Sequence, residues 1–135
     1  MSVASIGTEQ VRSRRLGVWT LQIVVALAFL AAGTAKLAAA PFMVQLFDQI
    51  ALGQWLRIVT GTVEIFGAAA LLHPRLAGFG GLWLGATMFF AVLAHLFVLH
   101  TNPAPAVILG FLNLLIAYLR RDDLASLVRT VNTLV

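Results

Sequence analysis

The chain has 135 residues, of which 61% are hydrophobic and 10% charged, with nine Lys and Arg, five Asp and Glu, and a formal net charge of +4. Soluble domains run at roughly 45–50% apolar and about 25% charged residues, and a fold of this size is mostly surface that needs polar cover. Fourteen charged side chains do not supply it, so a soluble globular domain is excluded, as is a polar disordered chain. The composition is that of a membrane protein, with the lipid bilayer as its first partner.

Residues 1–15 are polar, end in Arg12, Arg14 and Arg15, and read as a segment preceding the first span. The apolar run that follows is broken only by Gln22, Thr34 and Lys36 and predicts a helix over 17–40. At about 1.5 Å per residue it suffices for a hydrocarbon core of about 30 Å. Arginines ahead of an apolar stretch and Ala38-Ala39-Ala40 behind it also match a cleavable signal peptide. The stretch is longer than the usual ~7–15 residues, however, and Lys36 stands just before that site, so a retained span is the reading adopted.

Residues 41–53 place Phe42, Leu46, Phe47 and Ile50 at helical spacing, with Gln45, Asp48 and Gln49 between them. That pattern predicts a short amphipathic helix in the outer interface. A second span is predicted over 54–73, containing Arg57, Thr60, Thr62 and Glu64 and closed by Pro74, because the residue before proline disfavours helix. A third covers 76–100, with His95 inside it, and a fourth covers 104–121, after the Pro103–Pro105 turn. Residues 122–135 put Leu124, Leu127, Val128 and Val131 on one face, with Asp122 and Asp123 at the N-terminus where negative charge is favoured. The expected fold is therefore all-α: one domain, a four-transmembrane-helix bundle with a short amphipathic interfacial helix between helices 1 and 2 and a C-terminal amphipathic surface helix.

Arg12, Arg14, Arg15, Arg75, Arg120 and Arg121 all flank the spans on one side, and the segments 41–53 and 101–105 carry no Lys or Arg. By the positive-inside rule both termini are cytoplasmic. This distribution explains the basic residues by topology, and no nucleic-acid partner is expected. Eight Arg to one Lys amid abundant Ala, Leu and Gly fits a GC-rich bacterial genome, hence an inner (plasma) membrane protein. With no cysteine, dithiol relays and thiolate-ligated metal centres are excluded.

Ionisable side chains at membrane depth are costly and mark functional sites. Counting residues along the predicted helices puts Lys36, Arg57 and His95 in an outer layer, with Lys36 roughly 10–12 Å from its helix midpoint. Glu64 and Asn113 fall near the midplane. Arg57 and Glu64 are two turns apart and share a face. These five residues are the candidate ligand-binding set, lining an intramembrane polar cavity, and Glu64 is the candidate catalytic group. Lys36 and Arg57 could instead snorkel to the interface, and Glu64 could form a structural pair with either of them. No two histidines share a helix face, and Glu64 with His95 alone is too sparse for a metal, so no metal or intrinsic cofactor is expected. Gly81-xxx-Gly85 in the third helix allows close helix approach, within the bundle or in a homodimer.

Ala32-Gly33-Thr34-Ala35-Lys36-Leu37, Gly61-Thr62-Val63-Glu64-Ile65-Phe66-Gly67, the Pro74-Arg75 turn and the stretch Ala91 to His95 stand in the order found in one family. Over about residues 16–121 the chain resembles the DoxX-like family of small four-helix membrane proteins. The resemblance implies kinship with subunits of thiosulfate:quinone oxidoreductase, with membrane-linked redox complexes and with a receptor-assembly chaperone. It also makes the chain similar to quinone-linked disulfide-forming bundles, whose cysteines it lacks.

Three functions follow as expectations. The first is an accessory subunit that docks a quinone or lipid-like amphiphile for a redox partner subunit, with Lys36 and Arg57 holding its oxygens and Glu64 taking a proton or hydrogen bond. The second is a structural or assembly protein in which the buried charges only lock the bundle. The third is a stand-alone, cofactor-free enzyme using Glu64 as acid or base.

Overall fold

The computed structural model describes residues 2–135. Among them are six helices and no strand: α1 (Val3–Leu37), α2 (Pro41–Ile50), α3 (Gln54–Leu72), α4 (Ala77–Ala94, continued by a wide π turn over His95–Leu99), α5 (Ala104–Leu119) and α6 (Arg121–Leu134). Helices α1, α3 and α4 with its π turn are each long and apolar enough to cross a membrane. A fourth crossing is available if α5 and α6, bent by 67° at Arg120, are counted as one broken span.

Helix α1 begins well before residue 17. The Ser2 side chain accepts the Ser5 N–H at 3.4 Å and caps it, and the helix then runs unbroken through the polar segment that the sequence reading set outside the span. Once a helix is nucleated, each further residue adds a hydrogen bond at little cost, and no proline intervenes before Pro41. At 35 residues, α1 measures about 52 Å, so a good part of it extends past any hydrocarbon core.

Its other end stops at Leu37 rather than residue 40. The Ala39 N–H bonds to the Lys36 carbonyl at 3.2 Å, and the Ala40 N–H to the Ala35 carbonyl at 3.0 Å. Ala39 takes the left-handed conformation with φ 54°. This pair of reversed bonds around a left-handed residue is a Schellman ending, and Pro41 opens α2 at its first position, where its missing N–H costs nothing.

The helices close a ring: α1 packs on α3, α3 on α4, α4 on α5, and α5 returns to α1. Each buries a stripe at helical spacing, such as Gln22, Val25, Ala26, Phe29 and Gly33 on α1. The interior is Val25, Phe29, Ala68, Leu71, Leu84, Met88, Ala106 and Ile116. The outside is apolar too, with Phe66, Phe89, Phe90, Phe97 and Phe111 all exposed. A bundle apolar inside and out is at home in lipid, and the chain is a membrane protein. Helix α2 buries only Phe47, whereas α6 buries nothing.

Candidate functional site

The site begins with two glycines. A Cβ on Gly33 would lie 2.9 Å from the Gly61 carbonyl oxygen, and one on Gly61 would lie 3.0 Å from the Lys36 Cβ. Only with hydrogen at both positions do the backbones of α1 and α3 approach this closely. One turn beyond Gly33, Lys36 then faces α3. Along α3 the buried residues Arg57, Gly61 and Glu64 occupy one stripe, so the crossing sets Lys36 against both charged groups.

The Lys36 Nζ donates to both Glu64 carboxylate oxygens, at 2.9 and 2.8 Å. The pair is deeply placed, with side-chain exposures of 12% for Lys36 and 4% for Glu64. Arg57 does not reach Glu64. Its Nη1 donates to the Lys36 backbone carbonyl, and its Nε donates to the Gln54 Oε1 at 2.6 Å. The guanidinium thus sits on the C-terminal end of α1, where carbonyls lack helical partners and the helix dipole favours a cation. Gln54 passes the connection on, with its Nε2 donating to the Val44 carbonyl at 3.0 Å and to the Asp48 Oδ1 at 2.6 Å. A continuous polar chain therefore links α2, the start of α3, the end of α1 and Glu64.

Of the five residues singled out from sequence, three meet here. Lys36 and Glu64 touch, and Arg57 joins them through the Lys36 backbone. His95 is engaged elsewhere: its Nδ1 lies 2.7 Å from the Thr101 Oγ1, and its carbonyl accepts the Thr101 N–H at 3.0 Å. It closes the π turn, which packs against α2. Asn113 is fully buried but lies in the α4–α5 seam, where a Cβ on Gly81 would come 2.6 Å from its backbone oxygen. Its Nδ2 donates to the Leu109 carbonyl one turn back, at 2.7 Å. Its Oδ1 is buried without a donor among the described residues.

A second polar centre, at the other end of the bundle, was not singled out. Gln22 is fully buried; its Nε2 donates to the Leu71 carbonyl at 2.6 Å, and its Oε1 accepts from the Arg120 Nε at 2.8 Å. Gln22 thereby ties together α1, the end of α3 and the α5–α6 elbow. A signal existed, for Gln22 stands on the same stripe of α1 as Val25, Phe29 and Gly33. A polar residue on a core-facing stripe needs a buried partner.

An apolar-surfaced helical bundle holding an arginine and a lysine–glutamate pair between two crossing helices is what this fold and site define: an integral membrane protein with a charged interior. The chain belongs to the DoxX-like family, whose model matches residues 20–118. That stretch takes in the Gly33–Gly61 crossing and the Lys36, Arg57 and Glu64 side chains. No curated protein and no solved structure matches the chain.

Proposed function

We propose that this DoxX-like protein crosses a bacterial inner membrane four times with both termini cytoplasmic, and that Lys36, Arg57 and Glu64 receive the oxygen-bearing head of a quinone or lipid-like amphiphile on behalf of a redox partner subunit. Helix α5, with 16 residues, is about 24 Å long and completes the crossing with the proline turn at one end and Arg120 at the other. Helices α2 and α6 lie in the two interfaces. The orientation rests on the arginines gathered at one side.

The observation that carries the ligand reading is the state of the Lys36 ammonium. An ammonium has three donors. Two go to Glu64, and the third meets no protein acceptor among the described residues. The donor set suits the head group: a carbonyl oxygen accepts from Lys36, and a hydroxyl donates to Glu64. Mass spectrometry of an organic extract from the detergent-purified protein tests this. A stoichiometric quinone or lipid-like compound, lost from Glu64→Gln and Lys36→Met variants, supports the assignment. Equal amounts in all three proteins would refute it.

The two-point contact of Lys36 with Glu64, and the use of Arg57 to hold the end of α1, favour a second reading in which the charges lock the bundle. An extract empty of any specific compound, with both variants less stable than the native protein, would support that reading.

A further inference from the structure

About 32 Å from Lys36 along α1, by the rise per residue, a groove separates the arginine-rich stretch of that helix from the α5–α6 elbow. It is lined by Val11, Arg14, Arg15 and Val18 on α1 and by Leu119, Arg120 and Asp122 opposite. Three guanidinium groups and one carboxylate line it, and a second carboxylate, Asp123, pairs with Arg120, which leaves an excess of one positive charge.

Arg120 is fixed in place. Its Nε donates to Gln22, its guanidinium lies over the Trp19 ring at 5.2 Å from the centroid, and its Nη1 lies 3.5 Å from the Asp123 Oδ2. Its Nη2 is covered and has no acceptor among the described residues, so a buried donor beside the groove is left unmatched. Arg14 and Arg15 are exposed and make no hydrogen bond or ion pair among the described residues. The guanidinium fork matches phosphate oxygens in geometry as well as charge.

We infer that this groove binds the phosphate of an anionic phospholipid headgroup. Three features favour lipid over free phosphate. Val11, Val18 and Leu119 give the groove an apolar wall suited to a glycerol backbone and the first acyl carbons. The groove also lies at the Arg120 end of α5, the level at which the proposed fourth span meets the headgroups. Basic pockets of this kind between membrane helices suit anionic headgroups. The bound lipid clamps the long N-terminal part of α1 to the elbow, and the site is independent of the Lys36–Glu64 reading.

Native mass spectrometry of the full chain in detergent, titrated in turn with phosphatidylglycerol, phosphatidylcholine and inorganic phosphate, tests the inference. Native protein should retain phosphatidylglycerol at least ten-fold more tightly than phosphatidylcholine. An Arg14→Gln/Arg15→Gln variant should lose about 25-fold in that affinity, at about five-fold per arginine, with its lipid-free unfolding temperature unchanged because both side chains are exposed. Equal retention of the two lipids, or undiminished phosphatidylglycerol binding by the variant, would overturn it. Preferential retention of inorganic phosphate would assign the groove to a free anion and overturn it too.

Discussion

Lysine and glutamate buried together give a two-residue cycle with an unequal pair of arms. In Lys36→Met the Glu64 carboxylate keeps 4% exposure and loses both its donors. Arg57 cannot replace them, being about 10 Å away along α3 by the helical rise and held by Gln54 and the Lys36 carbonyl. Stranding one member of a buried pair costs about 3–5 kcal/mol, and this variant should show that full loss. In Glu64→Leu the Lys36 ammonium is stranded instead, but it starts at 12% exposure, one residue from the end of its helix. Its flexible stem can carry the charge toward the interface, so the loss should be smaller, about 1–3 kcal/mol. The Lys36→Met/Glu64→Leu double variant removes both charges and should return to native stability or exceed it by up to about 4 kcal/mol. Reversible unfolding in mixed micelles gives all three values. A double variant as unstable as the sum of its parents would refute a direct pair.

Gly33→Ala should cost about 1–3 kcal/mol by forcing α1 away from the Gly61 carbonyl, whereas Gly17→Ala, with nothing within 4 Å, should stabilise by up to about 1 kcal/mol; thermal unfolding of the two compares them. Gln22→Leu leaves both the Arg120 Nε and the Leu71 carbonyl without their partner and should cost about 1–3 kcal/mol in the same assay. Because the native chain has no cysteine, single cysteines at Ser5 and Asn102 can be labelled with an impermeant maleimide in intact cells. Asn102→Cys should react and Ser5→Cys should not, and the reverse pattern would contradict the orientation.

The long apolar helices α1, α3 and α4 were legible because an apolar run of about 20 residues has few other uses. Lys36 and Glu64, which the structure pairs, stood out in the sequence because charge at membrane depth is costly. Depth follows from counting along a helix, but rotation about its axis does not. Lys36, Arg57 and His95 were placed at one level; what separates them is direction. The Gly33–Gly61 crossing turns Lys36 and Arg57 toward the same seam, and the π turn commits His95 to Thr101. Asn113 shows the same limit, since its place in the α4–α5 seam depends on the close approach of Gly81. The helical state of residues 3–15 was missed because polarity marked the edge of the membrane and was taken for the edge of the helix.

The charge-swapped variant Lys36→Glu/Glu64→Lys, purified and extracted beside the native protein, tests the ligand site most directly. The swap keeps an ion pair across the same crossing but exchanges donor and acceptor, so a pure lock would survive it and a head-group site would not. The account predicts a folded protein that has lost its stoichiometric quinone or lipid-like compound. A folded swap that retains the compound at the native level would contradict the assignment of Lys36 and Glu64 to ligand binding.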